Sequence, residues 1–258
     1  MGRGDSWGAG SDTNHTRPGA IYAATDLGFL FLVADVVAVK FPVLSHTLLN
    51  DFENCPFKMY RKYILKDLPR QPQTEAMRWG NEVHTAFEVR IKHGTKWPAG
   101  MEKYEAIAAP LVAAGALAEK MMGITETGAL CDFFAKDVWL RGKIDSTVIR
   151  GATAAIWDWK TGKRRDDPVE LHTHAVLLKA WQPTVTRITA HFVWLQENEV
   201  GKAFDVSDTA THLRSIQHQA EDIKRCMEVE DFPKRRNPLC DYCPVVDCEN
   251  RGNWKRGR

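Results

Sequence analysis

No sign of charge dominates this 258-residue sequence: 35 Lys and Arg stand against 33 Asp and Glu, a formal net charge of +2. A chain that bound a polyanion over its whole surface would carry a larger basic excess, so any such site has to be a local patch. Cysteine is scarce, six residues in all, which excludes a disulfide scaffold in a chain of this length. Long apolar runs are missing too. The most apolar stretch, Leu27 to Val39, is too short to span a bilayer and contains Asp35. It lacks the basic flank and the Ala-x-Ala site of a secretory signal. No membrane association and a reducing, cytoplasmic setting are therefore expected. With 44% hydrophobic and 26% charged residues, the composition is that of a globular protein, neither disordered nor fibrous.

The sequence does contain a succession of periodic segments, with no internal repeat. Residues 1 to about 20 are rich in Gly, Ser, Asp, Asn and Thr and read as a disordered leader; Phe29 to Ala34 fits either a strand or a short buried helix, and no role is assigned to residues 1–43. Ser45 has the chemistry of an N-cap, and Leu48, Leu49, Phe52 and Cys55 follow it at helical spacing up to Pro56. Further helices are predicted over Phe57–Leu65, over Thr74–His93 with Gly94 as its stop, and over the Ala-rich Glu102–Lys120 with a kink or break at Pro110. The period then changes. Trp139–Ile149 and Ala154–Lys160 alternate around an Arg150-Gly151 turn and predict a hairpin, followed by a helix near Val169–Lys179, a strand over Arg187–Leu195 and a helix over Ser207–Met227. This order predicts an α+β fold, a central mixed sheet flanked by helices.

The hairpin places Asp145 on one strand and Asp158 and Lys160 at the end of the next. Residues i and i+2 of a strand share a face, so Asp158 and Lys160 project together while Trp159 points away. Carboxylates suit hard divalent ions, and a neighbouring ammonium can orient a water or stabilise developing charge. Alone, an Asp-x-Lys pair is far more often an ordinary surface ion pair.

The flanks add specificity. Gly142-Lys143-Ile144-Asp145, a turn, and then Ile156-Trp157-Asp158-Trp159-Lys160-Thr161-Gly162 resemble motifs II and III of the PD-(D/E)XK nuclease superfamily, in its RecB-like branch with the AddB-type and CRISPR-associated nucleases. Upstream, Gly80-Asn81-Glu82-Val83-His84-Thr85-Ala86-Phe87-Glu88 resembles the helical first motif, Gly-x-x-x-His-x-x-x-Glu. The resemblance implies a restriction-endonuclease-like core. It implies His84, Asp145, Asp158 and the Trp159 carbonyl as ligands of Mg²⁺ or Mn²⁺, Lys160 as the catalytic lysine, and Glu88 as an orienting neighbour of His84 or a solvent-facing residue. The branch continues with Gln-x-x-x-Tyr on a helix, where this chain has Glu170-Leu171-His172-Thr173-His174. Glu170 and His174 thus depart from the pattern beside the metal.

Cys240, Cys243 and Cys248 fall within nine residues, and Cys55 offers a fourth thiolate from far upstream. Tight clustering in a reducing compartment points to metal rather than to buried small hydrophobes, the role left to Cys131 and Cys226. Four thiolates suit either zinc or an iron–sulfur cluster. The distant first cysteine with a C-terminal triplet resembles the 4Fe–4S staple of the same nuclease branch, with Zn²⁺ the alternative.

Basic residues adjoin each motif: Lys58, Arg61, Lys62 and Lys66 after Cys55, Lys163-Arg164-Arg165 after the Asp-x-Lys strand, and Lys234-Arg235-Arg236 before Cys240. They are candidate phosphate contacts; Tyr60, Tyr63 and Trp181 could stack on single-stranded bases, with core packing the expected role of most of them. The resemblance spans about Leu44 to Trp254 and leaves 255–258 as a basic tail. It implies a metal-dependent nuclease acting on linear or single-stranded DNA, an exonuclease rather than a site-specific enzyme. The expected setting is recombination, repair or processing, with a helicase or recombination partner and a phage-encoded origin among the options. The alternative is a weakened nuclease fold serving as a DNA-binding or assembly subunit.

Overall fold

The computed structural model describes residues 40–70 and 72–253. Most of the expected leader, the Phe29–Ala34 segment and the basic tail lie outside the described residues.

Seven strands form one mixed sheet: β1 (Leu117–Ile124), β2 (Leu130–Cys131), β3 (Leu140–Arg150), β4 (Thr153–Lys160), β5 (Arg187–Trp194), β6 (Glu199–Val200) and β7 (Phe204–Asp205). Their order is β2-β1-β3-β4-β5-β6, with β7 also on β5. β3 and β4 make the predicted hairpin, turning at Gly151 with φ +56°. β4 and β5 run parallel, which requires a crossover, and α5 (Val169–Trp181) supplies it. The other helices are α1 (His46–Asn54), α2 (Pro56–Met59) with a π turn at Tyr60–Leu65, α3 (Glu75–His93), α4 (Glu105–Ala113) and α6 (Thr209–Glu228).

Local chemistry sets the helix ends. Ser45 Oγ accepts from Leu48 N at 3.3 Å, Thr74 Oγ1 from Met77 N at 3.2 Å, and Asp208 Oδ1 from Thr211 N at 3.1 Å, each meeting a first-turn donor that the helix leaves over. Gly94 closes α3 at φ +65°.

The helical expectation for Glu102–Lys120 is corrected. A short 3₁₀ turn and α4 occupy Glu102–Ala113, Pro110 sits inside α4 without ending it, and Gly115 at φ +67° turns the chain into β1. Helix-favouring side chains over Leu117–Lys120 are overruled by antiparallel pairing with β3, from Leu117↔Thr147 to Ile124↔Leu140.

The sheet separates two cores. On the α1, α5 and α6 side lie Ile144, Ile156, Leu171, Leu177, Phe192 and Trp194; on the α3 and α4 side lie Val83, Phe87, Tyr104, Val148 and Trp159. Phe87 stacks on Trp159 with ring centroids 4.3 Å apart, fixing α3 over the end of β4. Burying a side chain of this size contributes about 2 kcal/mol.

β1 and β3 change sides at one place. Leu140 and Ile144 belong to the α5 core but Val148 to the α3 core, and Met122 and Ile124 likewise differ from Ala118. Strict alternation would keep each of these even-numbered sets on one face. The switch falls between Ala118↔Ser146 and Lys120↔Ile144, where Glu119 takes φ 53°. Both Glu119 and Asp145 thereby face α3.

Gly142 lets α5 lie close against β3: a Cβ there would stand 2.8 Å from Leu177 Cδ1 and 3.8 Å from His174 Cδ2. Leu177 is fully buried and has no room to retreat. Gly142→Ala is expected to lower stability by about 1–3 kcal/mol in chemical denaturation, through overpacking of a filled core.

Candidate active site

His84 lies in the middle of α3, one turn before Phe87, so the packing of that ring on Trp159 aims the imidazole at the sheet. Its Nδ1 stands 3.3 Å from Asp145 Oδ1 and 3.7 Å from Glu119 Oε1. Donor atoms of these three residues lie within 4.8 Å of one another. Asp145 Oδ2 also accepts the Trp159 backbone N–H at 2.8 Å, beyond Ser146↔Trp157 where the β3–β4 ladder ends. Lys143 pairs with Glu119 Oε2, while Glu119 Oε1 is buried without a hydrogen-bond partner, the side chain being 6% exposed. Burial alone would depress the His84 pKa, but hydrogen bonds and charge from Asp145 and Glu119 outweigh it and push it up to about 10. The group opens into a cleft of about 830 Å³ lined also by Gly80, Asn81, Lys143, Thr161 and Gln196. Gly80 keeps its wall thin, since a Cβ there would sit 3.1 Å from Thr161 Oγ1.

Asp158 and Lys160 share the other face of β4, as alternation predicts. Lys160 Nζ lies 2.6 Å from Asp158 Oδ2 and 2.5 Å from Glu170 Oε2 on α5. His174, one turn along α5, has Nδ1 at 3.7 Å from Asp158 Oδ1, and His46 Nε2 stands 3.9 Å from Glu170 Oε2. Burial, reinforced by the Glu170 charge, raises the Asp158 pKa well above the usual carboxylate range despite Lys160. Burial also weighs against the charged Lys160 and Glu170, but attraction to Asp158 and then Glu170 raises the lysine, and attraction to Lys160 lowers the glutamate. Lys160 is therefore a fixed cation at neutral pH. Burial lowers both His174 and His46, which stay neutral there. Lys160 and Glu170 line a second cavity of about 230 Å³ together with Lys163 and Arg165.

The structure thus brings His84 together with Asp145, and Asp158 with Lys160, Glu170 and His174, one group toward α3 and the other toward α5, close enough that the Asp145 charge acts on both Asp158 and His174. Gly162 borders both cavities. Glu119 was missed by sequence reasoning: it sat inside an expected helix, and only its pairing with the Asp145 strand reveals it. Glu88 pairs with Lys92 at 2.6 Å and lines the cleft.

Of the basic candidates, Lys58 and Lys62 hold the buried Asp51 at 2.6 and 2.8 Å, and Arg61 grips Asp67 and Asp247 through paired hydrogen bonds of 2.7–3.0 Å. These three are committed to internal carboxylates. Arg164 pairs with Asp166 and Glu199 at the surface. Tyr60 stacks on Phe232 at 4.3 Å, and both Tyr60 and Tyr63 pack against the core.

Cys55, Cys240, Cys243 and Cys248 all line one small cavity, with Lys58 and Arg251 at its edge. All are free thiols, and burial raises the pKa of Cys243 in the company of Cys55 and Cys240. The tight donor groups among the described residues are the two carboxylate–histidine sets and not these sulfurs.

The family model of the PD-(D/E)XK nuclease superfamily matches residues 91–248, more than half of the chain. The chain belongs to this superfamily. The matched segment of this PD-(D/E)XK protein includes Asp145, Asp158, Lys160, Glu170 and His174, with His84 just upstream. Its mixed sheet flanked by helices is the restriction-endonuclease-like arrangement of the superfamily. A provisionally assigned exonuclease of Eubacterium rectale is similar at 15% identity and a TM-score of 0.48, covering 84% of this chain and 88% of its own. The protein SSO0001 is similar at 14% identity and 0.37, covering 82% and 88%. No curated protein matches.

Nucleases of this superfamily use divalent metal ions, and the residues here fit one: carboxylate oxygens and an imidazole converge, and a buried Glu119 oxygen has no other partner. The raised Asp158 pKa gives a test with a definite sign. A folded-state pKa above the unfolded one means that this carboxyl destabilises the metal-free protein increasingly as pH rises past the unfolded value near 4. Asp158→Asn is expected to stabilise metal-free protein at neutral pH by about 1–3 kcal/mol, with the gain vanishing in acid, as measured by denaturant midpoints across pH.

Proposed function

We propose that this superfamily member is a Mg²⁺- or Mn²⁺-dependent deoxyribonuclease that degrades DNA from an end, serving recombination, repair or processing. The observation that carries the reading is the meeting of His84, Glu119 and Asp145 on the floor of an open cleft, one strand away from Lys160. Asp145, Asp158, His84 and the Trp159 carbonyl are the proposed metal ligands, and Glu119 joins them by position. A divalent ion bound there would polarise a phosphoryl oxygen and acidify a water.

The chain's own groups supply the rest. Asp145 is held in orientation by the Trp159 N–H. Lys160, kept protonated between two carboxylates, contributes a fixed positive charge that orients the attacking water and offsets negative charge growing on the phosphate; it is not a general base. Lys163 and Arg165, at the rim beside it, are placed to hold the DNA backbone. No separate base-reading module is evident among the described residues, which favours end-dependent over sequence-specific cleavage. A helicase or recombination partner would supply unwound ends.

The four cysteines are proposed to hold a structural 4Fe–4S cluster. Four thiolates lining one cavity suit zinc as well as a cluster, and it is the resemblance of the distant Cys55 with the C-terminal triplet that favours iron and sulfur. Such a cluster would tie α1 and α2 to the C-terminal segment and so restrict the unfolded chain.

Linear and circular DNA incubated with Mn²⁺ decide the main reading. Wild type should shorten linear DNA from its ends, and Lys160→Ala and Asp145→Ala should each lose at least about a hundredfold in rate, a typical scale for removing an electrostatic stabiliser. Equal rates in all three proteins would refute it. Anaerobically purified protein should show the broad visible absorption of thiolate-to-iron charge transfer, absent in Cys243→Ser; a colourless, zinc-loaded sample would overturn the cluster.

A further inference from the structure

The nuclease reading uses Glu170 only to hold Lys160 and gives His174 no role. They are four residues apart on α5, so both side chains leave the same helix face, toward Asp158. Donor atoms of Asp158, Glu170 and His174 lie within 4.8 Å of one another. The His174 side chain is only 7% exposed, and its Nδ1, 3.7 Å from Asp158 Oδ1, is buried with no hydrogen-bond partner. His46, in the first turn of α1, brings a second imidazole beside Glu170, with Nε2 3.9 Å from Glu170 Oε2. A buried imidazole nitrogen normally finds a donor or an acceptor, and the His174 Nδ1, left without one while it faces Asp158, marks a place built for a cation.

We propose that Asp158, Glu170 and His174 form a second cation site, on the α5 face of the sheet, selective for a first-row transition ion such as Mn²⁺, with His46 as a fourth donor within reach. Carboxylate oxygens alone would suit Mg²⁺; imidazole nitrogens move the preference to the transition series. Lys160 Nζ now neutralises the same two carboxylates, so the ion and the ammonium compete. Loading the site releases Lys160 toward the cavity that it shares with Lys163 and Arg165. The site borrows Asp158 from the nuclease reading, but its occupancy is measurable whether or not the chain cuts DNA.

The test is Mn²⁺ titrated into the full chain and counted by electron paramagnetic resonance, with pulsed measurement of ligating imidazole nitrogen. Mn²⁺ avoids the cysteines, since it is a poor partner for thiolates. Wild type should bind two ions and folded His174→Leu one. In His84→Ala the remaining ion should still show imidazole-nitrogen modulation, and His84→Ala combined with Lys160→Met should bind it at least tenfold more tightly. A wild type with one ion, a count unchanged by His174→Leu, or a His84→Ala protein whose ion shows no nitrogen would overturn the proposal. If His174→Leu does not fold, the His84→Ala spectrum decides alone. Failure of the nuclease reading would show separately, as intact DNA with both ions bound.

Discussion

The candidate site depends on the single place where β1 and β3 change sides. A strand turns successive side chains to opposite faces, so Asp145 and Val148 can both face α3 only because the alternation is broken between them. Glu119, directly across, makes the matching change with a left-handed backbone, a conformation that disfavours a residue bearing a Cβ by about 1–2 kcal/mol. The strain sits beside a buried carboxylate oxygen with no partner. Two unfavourable features at one point, held by the surrounding core of Phe87, Trp159 and Val148, are what a ligand-binding centre requires of a rigid scaffold.

Electrostatics then differ between the two faces. On the α3 side, carboxylates near an open cleft share a protonated imidazole and the ammonium of Lys143. On the α5 side one lysine balances Asp158 and Glu170 at once. Such a lysine cannot be removed without leaving the buried Asp158 and the half-buried Glu170 facing each other, which ties the charge state of one face to its occupancy.

Much of this arrangement was legible in the sequence. The cap at Ser45, the helix start at Thr74, the stop at Gly94 and the Arg150-Gly151 hairpin depend on neighbouring residues alone, and they appear where the pattern put them. The pairing of Asp158 with Lys160, opposite Trp159, follows from the period of a strand. What was not legible depends on partners distant in the chain. Leu117–Lys120 has a helical composition and becomes a strand only because β3 lies alongside, which hid Glu119. The basic residues after Cys55 looked available for phosphate because Asp247, one of their acids, lies 186 residues from Arg61.

That last contact has a consequence for synthesis. Arg61, Asn54 and Glu53 meet Asp247, Asn237 and Arg235, so the first helices of the domain gain these contacts only when residues 235–247 have been made, although α1 can already pack on α5 and the sheet. Until the ribosome releases that segment, the surface around Cys55 stays uncovered, and contacts of such long sequence separation form slowly. Messages truncated shortly before Cys240 would therefore yield a chain with its sheet encoded in full and its first helices unclasped.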